Sequence, residues 1–426
     1  MAGYVVVGAQ WGDEGKGKVV DLLGKRTDMV VRFQGGNNAG HTVVVNGQKT
    51  ILHLLPSGIL NQDALCVIGP GVVVNPFVLF KEIDTLESQG CPCDHVKVSG
   101  RAHLLMPYHV RLDELEEART NNKIGTTKNG IGPCYSDKYT RIGLRVCDLE
   151  DWNSFSAKLK ATLAMKNEII VKIYGGEPFV YDEMLAQFAQ VRKRLLPMTI
   201  DAVDLVNNAL EEDKTVLFEG AQANMLDINY GVYPFVTSSS PTIAGVCEGA
   251  GISPRYLKRV IGVVKAYSTR VGSGPFVTEQ INEIGEKLRE KGGEYGATTG
   301  RPRRCGWLDL PVVKQACRIN GLTDIALTKI DILSGFDEIP VLTGYEIDGQ
   351  VIESVPASLE KYAKAIPVYK IMQGWHEDIS GIRQFEDLPD TCQEYIRFIE
   401  DYCKTPISLV SVSPEREGNI VLHDLI

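Results

Sequence analysis

Gly8-Ala-Gln-Trp-Gly-Asp-Glu-Gly-Lys-Gly-Lys18 is the stretch on which the fold turns. It follows the β-branched run Tyr4–Val7 and leads into Val19–Leu23, which reads as a helix. A glycine-rich turn from strand to helix lets backbone N–H groups approach a phosphate, and the helix N-terminus adds its positive dipole. Gly12 to Lys18 keeps the G-x-x-x-x-G-K spacing, but Val19 stands where a Ser or Thr hydroxyl would meet magnesium. Asp13, inside the loop, offers an oxygen ligand instead. A turn needed only for tight packing would explain the glycines; it explains less well two lysines and two acids in so short a span.

Outward from this loop, short β-branched runs alternate with helical patterns. Tyr4–Val7, Met29–Phe33, Ala64–Ile68, His95–Ser99, Thr215–Phe218, Val260–Ala266, Ile325–Thr328 and Ile407–Val412 read as strands. Several are apolar on both faces, as parallel strands covered on both sides by helices must be. Asp113–Arg119, Asp151–Met165, Asp182–Leu195 and Asp390–Tyr402 read as helices with acidic residues at their starts. Asn46-Gly47 and Asp348-Gly349 predict hairpin turns, since Asn-Gly and Asp-Gly accept positive φ. The expected fold is α/β: one large, mostly parallel central sheet with helices on both faces and a phosphate-loop-like nucleotide site. No repeat or linker interrupts it, so residues 1–426 are expected to form a single domain with long loop insertions.

Composition narrows the function classes. Lys plus Arg number 45 and Asp plus Glu 54, a net charge of −9. An acidic chain without a basic run is a poor match for nucleic acid or anionic membrane. The 10 cysteines are scattered and lack metal-ligand spacing, which suits free thiols. The N-terminus has no basic, apolar leader pattern and no apolar run spans a bilayer, so the cytoplasm is the expected compartment.

More loops carry chemistry. Phe33-Gln-Gly-Gly-Asn-Asn-Ala-Gly-His-Thr42 follows a strand and offers Asn38, His41 and Thr42; the histidine serves either as an acid or phosphate contact or as a structural residue. Gly296-Ala-Thr-Thr-Gly-Arg-Pro-Arg-Arg304 crowds arginines that suit a carboxylate or phosphate, unless they form a salt-bridge cluster. Thr328-Lys-Ile-Asp331, at a strand end, resembles the guanine-reading element of GTPases; an Asp there accepts from guanine N1–H and its amine, donors adenine lacks. Ile124–Pro133, Phe218–Asp227 and Tyr233–Ser239 pair glycines or hydroxyls with uncharged donors, and each by itself is equally a plain turn.

Together these segments are similar to the adenylosuccinate synthetases. The resemblance runs from Val5 to Leu422 and includes Gln10–Lys18, Asn38–Thr42, Ile124–Thr127, Gly132-Pro133, Glu219–Gln222, Tyr233–Ser239, Ala266–Gly272, Gly296–Arg301, Arg304–Trp307 and Thr328–Asp331. It implies GTP- and Mg2+-dependent joining of L-aspartate to IMP, through 6-phosphoryl-IMP. Asp13 would act as general base and metal ligand, His41 as acid, and Gln222 as a hydrogen-bond donor to the developing oxyanion; the Gly40 carbonyl would complete the protein's share of the metal shell. GTP would be held by Gly12, Asp13, Glu14, Gly15, Lys16, Gly17 and Lys18, by Gly40, His41, Thr42 and Arg303, and at the base by Lys329, Ile330, Asp331, Ser411, Val412 and Ser413. IMP would meet Asp13, Glu14, Gly15, Lys16, Asn38, Ala39, Gly40, His41, Thr127, Gln222, Thr237 and Arg301, with Arg141 arriving from the second subunit of a homodimer. Aspartate would lie under Ala297, Thr298, Thr299, Gly300, Arg301, Pro302 and Arg303. Three positions depart from the family's commoner pattern: Ser413 for a glycine, Ser240-Pro241 for an Asn-Thr or Asn-Cys pair, and Pro302 within the arginine loop.

Two rival readings remain. Related synthetases acting on dGMP with dATP look similar but lack an acid at the Asp13 position. A GTP-binding switch needs a phosphate loop, a guanine reader and a mobile loop, but not the arginine cluster.

Overall fold

The computed structural model describes residues 3–45, 48–119, 125–296 and 300–426. Its centre is a 10-stranded sheet. From one edge to the other the strands are Asn419–Val421, Ile407–Ser411, Asp324–Thr328, Leu257–Lys265, Gly3–Gly8, Val216–Glu219, Met29–Arg32, Leu65–Ile68, Val96–Ser99 and Thr199–Ile200. All pair in parallel except the edge pair Ile407–Ser411 and Asn419–Val421. The eight expected strands are all here, side by side.

Alternation explains why these runs are apolar throughout. Val5, Val7, Val31 and Phe218 face one hydrophobic cluster, together with buried residues of the helices Ala202–Glu211, Ile243–Ala250, Leu310–Asn320 and Asp390–Cys403. Tyr4, Val6, Val30 and Leu217 face the other side, where Val19, Val20 and Leu23 of the helix Lys16–Gly24 cover them. A strand buried on both faces cannot carry a polar stripe. A third cluster holds the far end of the sheet, where the helices Pro76–Ser88, Pro107–Arg119, Trp152–Glu168 and Tyr181–Leu195 pack. Asp151 caps Trp152–Glu168 by accepting from Ser154 N at 3.0 Å, a bond worth about 1 kcal/mol.

The sequence reading found the strands but left several helices unread, among them Pro76–Ser88, Ala202–Glu211, Ile243–Ala250 and Leu310–Asn320. The helix expected over Asp113–Arg119 begins at Pro107, and the one expected at Val19 begins at Lys16. Asp348 and Gly349, with φ of 52° and 76°, turn the hairpin between Glu338–Ile347 and Gln350–Ile352. The other hairpin pairs His41–Val45 with Gln48–Leu52; its Asn46-Gly47 turn lies outside the described residues.

Strand direction positions the site. The chain leaves Gly3–Gly8 toward Met29–Arg32 on one side, and later crosses from Val216–Glu219 to Leu257–Lys265 on the other. Ligands of such sheets gather beyond the strands' carboxyl ends, where the order reverses. The loops after Gly8, Arg32, Glu219, Thr328 and Ser411 all leave from those ends.

Candidate active site

The loop after Gly8 is shaped by positive φ at Gly12 (93°), Asp13 (59°) and Gly15 (92°). Only Asp13 among these carries a side chain, which makes its backbone conformation unusual. Glu14 holds the loop from within: fully buried, its carboxylate accepts from Gly12 N at 2.8 Å and Gln10 N at 3.1 Å, and pairs with Lys16 Nζ at 2.6 Å. Lys18 turns toward the neighbouring loop and donates to Ser411 Oγ (2.7 Å) and the carbonyls of Ser413 (2.6 Å) and Gly418 (3.1 Å). Burial there pushes its ammonium down to about 8. Lys18 therefore ties the loop after Gly8 to Ser411–Ser413.

The loop after Arg32 meets the loop after Glu219 through two glutamines. Gln34 Nε2 donates to Gln222 Oε1 and to Ala221 O, both at 3.1 Å, and Gln34 Oε1 accepts from Ala221 N at 3.1 Å. Gln222 sits at φ 57°. Its amide oxygen is engaged, while its Nε2 is buried with no protein partner. The Thr237 hydroxyl oxygen and His41 Nε2 are in the same condition. Buried polar atoms are almost always paired, so atoms of this kind on three expected site residues point to a ligand. Asn38 Oδ1 accepts from Gly36 N at 3.2 Å, and Asn129 Nδ2 donates to Asn37 O at 3.2 Å, which draws the loop carrying Thr127 toward Asn38.

His41 has a partner that the sequence reading missed. Its Nδ1 contacts Glu219 Oε1 and lies 3.2 Å from Ser57 Oγ. Ser57 also fixes Glu219, donating from its N at 2.7 Å and its hydroxyl at 2.5 Å. Burial pushes the imidazole below its ordinary value against the pull of Glu219. Burial alone would raise the Glu219 carboxyl, but His41, Arg32 and Ser57 hold it below the usual range. The ring is thus fixed at Nδ1 and free at Nε2.

Past the strand Asp324–Thr328, Asp331 lines a cavity of about 500 Å³ with Lys291, Ser334, His376, Asp378 and Ser380. Burial pushes its carboxyl up to about 6. Lys329, at φ 58°, donates to Gly292 O at 2.7 Å and Glu294 Oε1 at 2.8 Å. Arg303 reaches Asp13 Oδ2 with Nε at 2.8 Å. Arg301, Pro302 and Gly300 are exposed, and Gly296 N donates to Arg301 O at 2.8 Å, closing the base of the arginine loop. Ala297, Thr298 and Thr299 lie outside the described residues, as does the side chain of Thr42. Arg141 is apart from this group: exposed, in a left-handed cap after the helix Ile131–Thr140.

The adenylosuccinate synthetase family model matches residues 5–420. The chain belongs to that family. It is therefore a ligase that forms a C–N bond, of a family that depends on GTP and binds IMP and aspartate. An adenylosuccinate synthetase of Fusobacterium nucleatum is 57% identical over 426 residues, covering 100% of both chains. That of Acetivibrio thermocellus is 51% identical, covering 99% of this chain and 100% of its own. Among solved structures, a fully ligated adenylosuccinate synthetase from Plasmodium falciparum superposes with a TM-score of 0.93 at 42% identity, over 98% of this chain and 99% of that one. The succinoaminodeoxyadenylate synthetase of cyanophage S-2L, bound to dGMP and dATP, shares the fold at TM-score 0.61 and 19% identity, over 100% of this chain and 96% of that one. No helix among the described residues is long and apolar enough to cross a membrane.

Proposed function

We propose that this adenylosuccinate synthetase joins L-aspartate to IMP in two steps, at the expense of GTP. Asp13 takes the proton from N1 of IMP, which drives negative charge onto O6. That oxygen attacks the γ-phosphate of GTP, forming 6-phosphoryl-IMP and releasing GDP. The amine of aspartate then displaces phosphate from C6.

The protein's share is positioning and charge stabilisation, as in phosphoryl transfer generally. His41 Nε2, with Nδ1 fixed by Glu219, holds a proton toward the departing GDP oxygen. Arriving phosphate charge favours that proton, offsetting the burial that keeps the free imidazole neutral. Gln222 Nε2 donates to the oxygen that gains charge, and Thr237 and Asn38 hold the IMP. Lys16 exchanges Glu14 for phosphate. Lys329 and Asp331 read guanine beside Ser411–Ser413, and Arg301 and Arg303 take the carboxylates of aspartate.

Magnesium fits Asp13 and the Gly40 carbonyl. Asp13 has a side chain 31% exposed, and both groups are hard oxygens of the kind this ion takes alongside phosphate. When bound, it supplies charge neutralisation at the transferred phosphate. The working unit is a homodimer in the cytoplasm, with Arg141 reaching the IMP phosphate of the other subunit.

The observation that carries this reading is the trio of buried, unpartnered atoms on His41, Gln222 and Thr237. The test is phosphate release from GTP by the purified protein. It should require both IMP and aspartate, and yield adenylosuccinate. GTP hydrolysis indifferent to both would replace the ligase chemistry with that of a switch, and turnover with dGMP and dATP would reassign the substrates.

A further inference from the structure

Glu294 follows the helix Glu283–Gly292 and opens the arginine loop, and its side chain is wholly buried. A buried carboxylate is tolerated only with strong partners. Glu294 has four. Oε1 accepts from Lys265 Nζ at 2.9 Å, Lys329 Nζ at 2.8 Å and the Tyr267 hydroxyl at 2.5 Å. Oε2 accepts from Arg303 Nη1 at 2.7 Å. Burial alone would raise this carboxyl, but the three cations hold it well below the usual carboxylate range.

The backbone of Glu294 and of Gly292 just before it makes the same connections. Arg303 N donates to Glu294 O at 2.9 Å, and the Gly292 carbonyl takes Lys329 at 2.7 Å. The helix before it reaches both sides as well. Arg289 Nε donates to Arg303 O at 3.1 Å, and Lys287 Nζ donates to Gly335 O at 2.6 Å, just past the guanine-reading turn. Lys265 alone would need one carboxylate oxygen; the second oxygen is spent on Arg303, whose Nε faces Asp13.

We propose that Glu294 is a positioning residue that fixes Arg303 beside Asp13 and Lys329 beside the guanine site through one carboxylate, coupling aspartate binding to GTP binding. The assignment rests on the ligase reading above. With its side chain buried and both oxygens taken by protein donors, Glu294 acts through Arg303 and Lys329. It sets the guanidinium plane with Oε2, so that Arg303 stays in place when Asp13 leaves it for the purine. It also stops Lys329 from swinging into Asp331, which keeps that carboxylate open to the base.

The test compares the wild type with Glu294→Gln and with Glu294→Gln combined with Lys265→Met, which removes one charge of each sign from the cluster. Thermal melting, binding of a non-hydrolysable GTP analogue by calorimetry, and the KM for each substrate are measured. Glu294→Gln should raise the KM for aspartate and the Kd of the analogue by roughly tenfold or more, a usual size for coupling between sites, and leave the KM for IMP within about twofold. The double variant should melt closer to the wild type yet keep the raised aspartate KM. Should Glu294→Gln fail to fold, the double variant decides alone. Wild-type values for aspartate and analogue in either variant, or full recovery of both in the double variant, would reduce Glu294 to a counter-charge for Lys265. A wild type that makes no adenylosuccinate would sink the ligase reading instead.

Discussion

Arg303 Nε lies 2.8 Å from Asp13 Oδ2, so the guanidinium of the arginine loop occupies the carboxylate proposed as the base. The pair is only partly exposed, at 12% and 31%. Substrate binding must therefore separate two opposite charges: Asp13 turns to the purine, while Arg303, held by Glu294, keeps its place and takes a carboxylate of aspartate instead. Removing Asp13 leaves Arg303 with Glu294 as its remaining carboxylate. Asp13→Ala should lower kcat by about 10²–10⁴-fold, the usual range for a general base, with the melting temperature nearly unchanged. Adenylosuccinate formation by the variant at more than a tenth of the wild-type rate would remove Asp13 as base.

Glu219→Gln should lower kcat by about 10- to 100-fold, since it replaces the charge that stabilises a protonated His41 while keeping the shape. The measurement is a pH–rate profile beside the wild type. If Glu219 serves His41, the limb that reports the acid moves to lower pH, because an imidazolium without its carboxylate gives up its proton more readily. A variant that melts earlier but turns over at the wild-type rate would make Glu219 structural.

The loops and strands of this site were legible in the sequence because each is a local signal. A β-branched run ending in glycines can be read within a dozen residues, and every such run became a strand of the central sheet. What could not be read is what depends on distant partners. Glu219 meets His41 from 178 residues away, and Lys18 reaches Ser411 across 393. No spacing rule reports such pairs. Buried polar residues concealed the first turns of the helix Pro107–Arg119. His109, Asp113 and Glu117 face inward among Tyr108 and Leu112, so the apolar period that marks a helix is broken. The two inner acids are spent on the loop that follows: Gly130 N donates to Asp113 and Gly125 N to Glu117, each at 2.8 Å.

Asp331→Asn should raise the KM for GTP by about 10- to 100-fold, the cost of losing charged hydrogen bonds to the base, while the KM for IMP stays within about twofold. The carboxyl stands at about 6 in the free protein, raised by burial. Guanine needs it ionised, and it is ionised above that value. GTP affinity should therefore fall as pH drops below about 6, and the Asn variant should show no such limb. Equal losses for GTP and IMP would make Asp331 a structural residue.

Arg141 sits at φ 65° where the helix Ile131–Thr140 ends, held by its backbone N–H to the Lys138 carbonyl at 3.2 Å. Its side chain is exposed, and Tyr139 beside it is 63% exposed. An arginine set outward at a rigid turn, on a surface that also presents an aromatic ring, suits a contact with a second copy of the chain. If it reaches the IMP phosphate there, Arg141→Leu should raise the KM for IMP by roughly tenfold, the worth of one charge-assisted bond, and leave the KM for GTP nearly unchanged. Mixing gives the sharper result. Arg141→Leu and Asp13→Ala chains, each poor alone, should regain activity when exchanged into mixed dimers, because one of the two sites then carries both residues. No gain on mixing, with dimers verified by light scattering, would confine Arg141 to its own subunit.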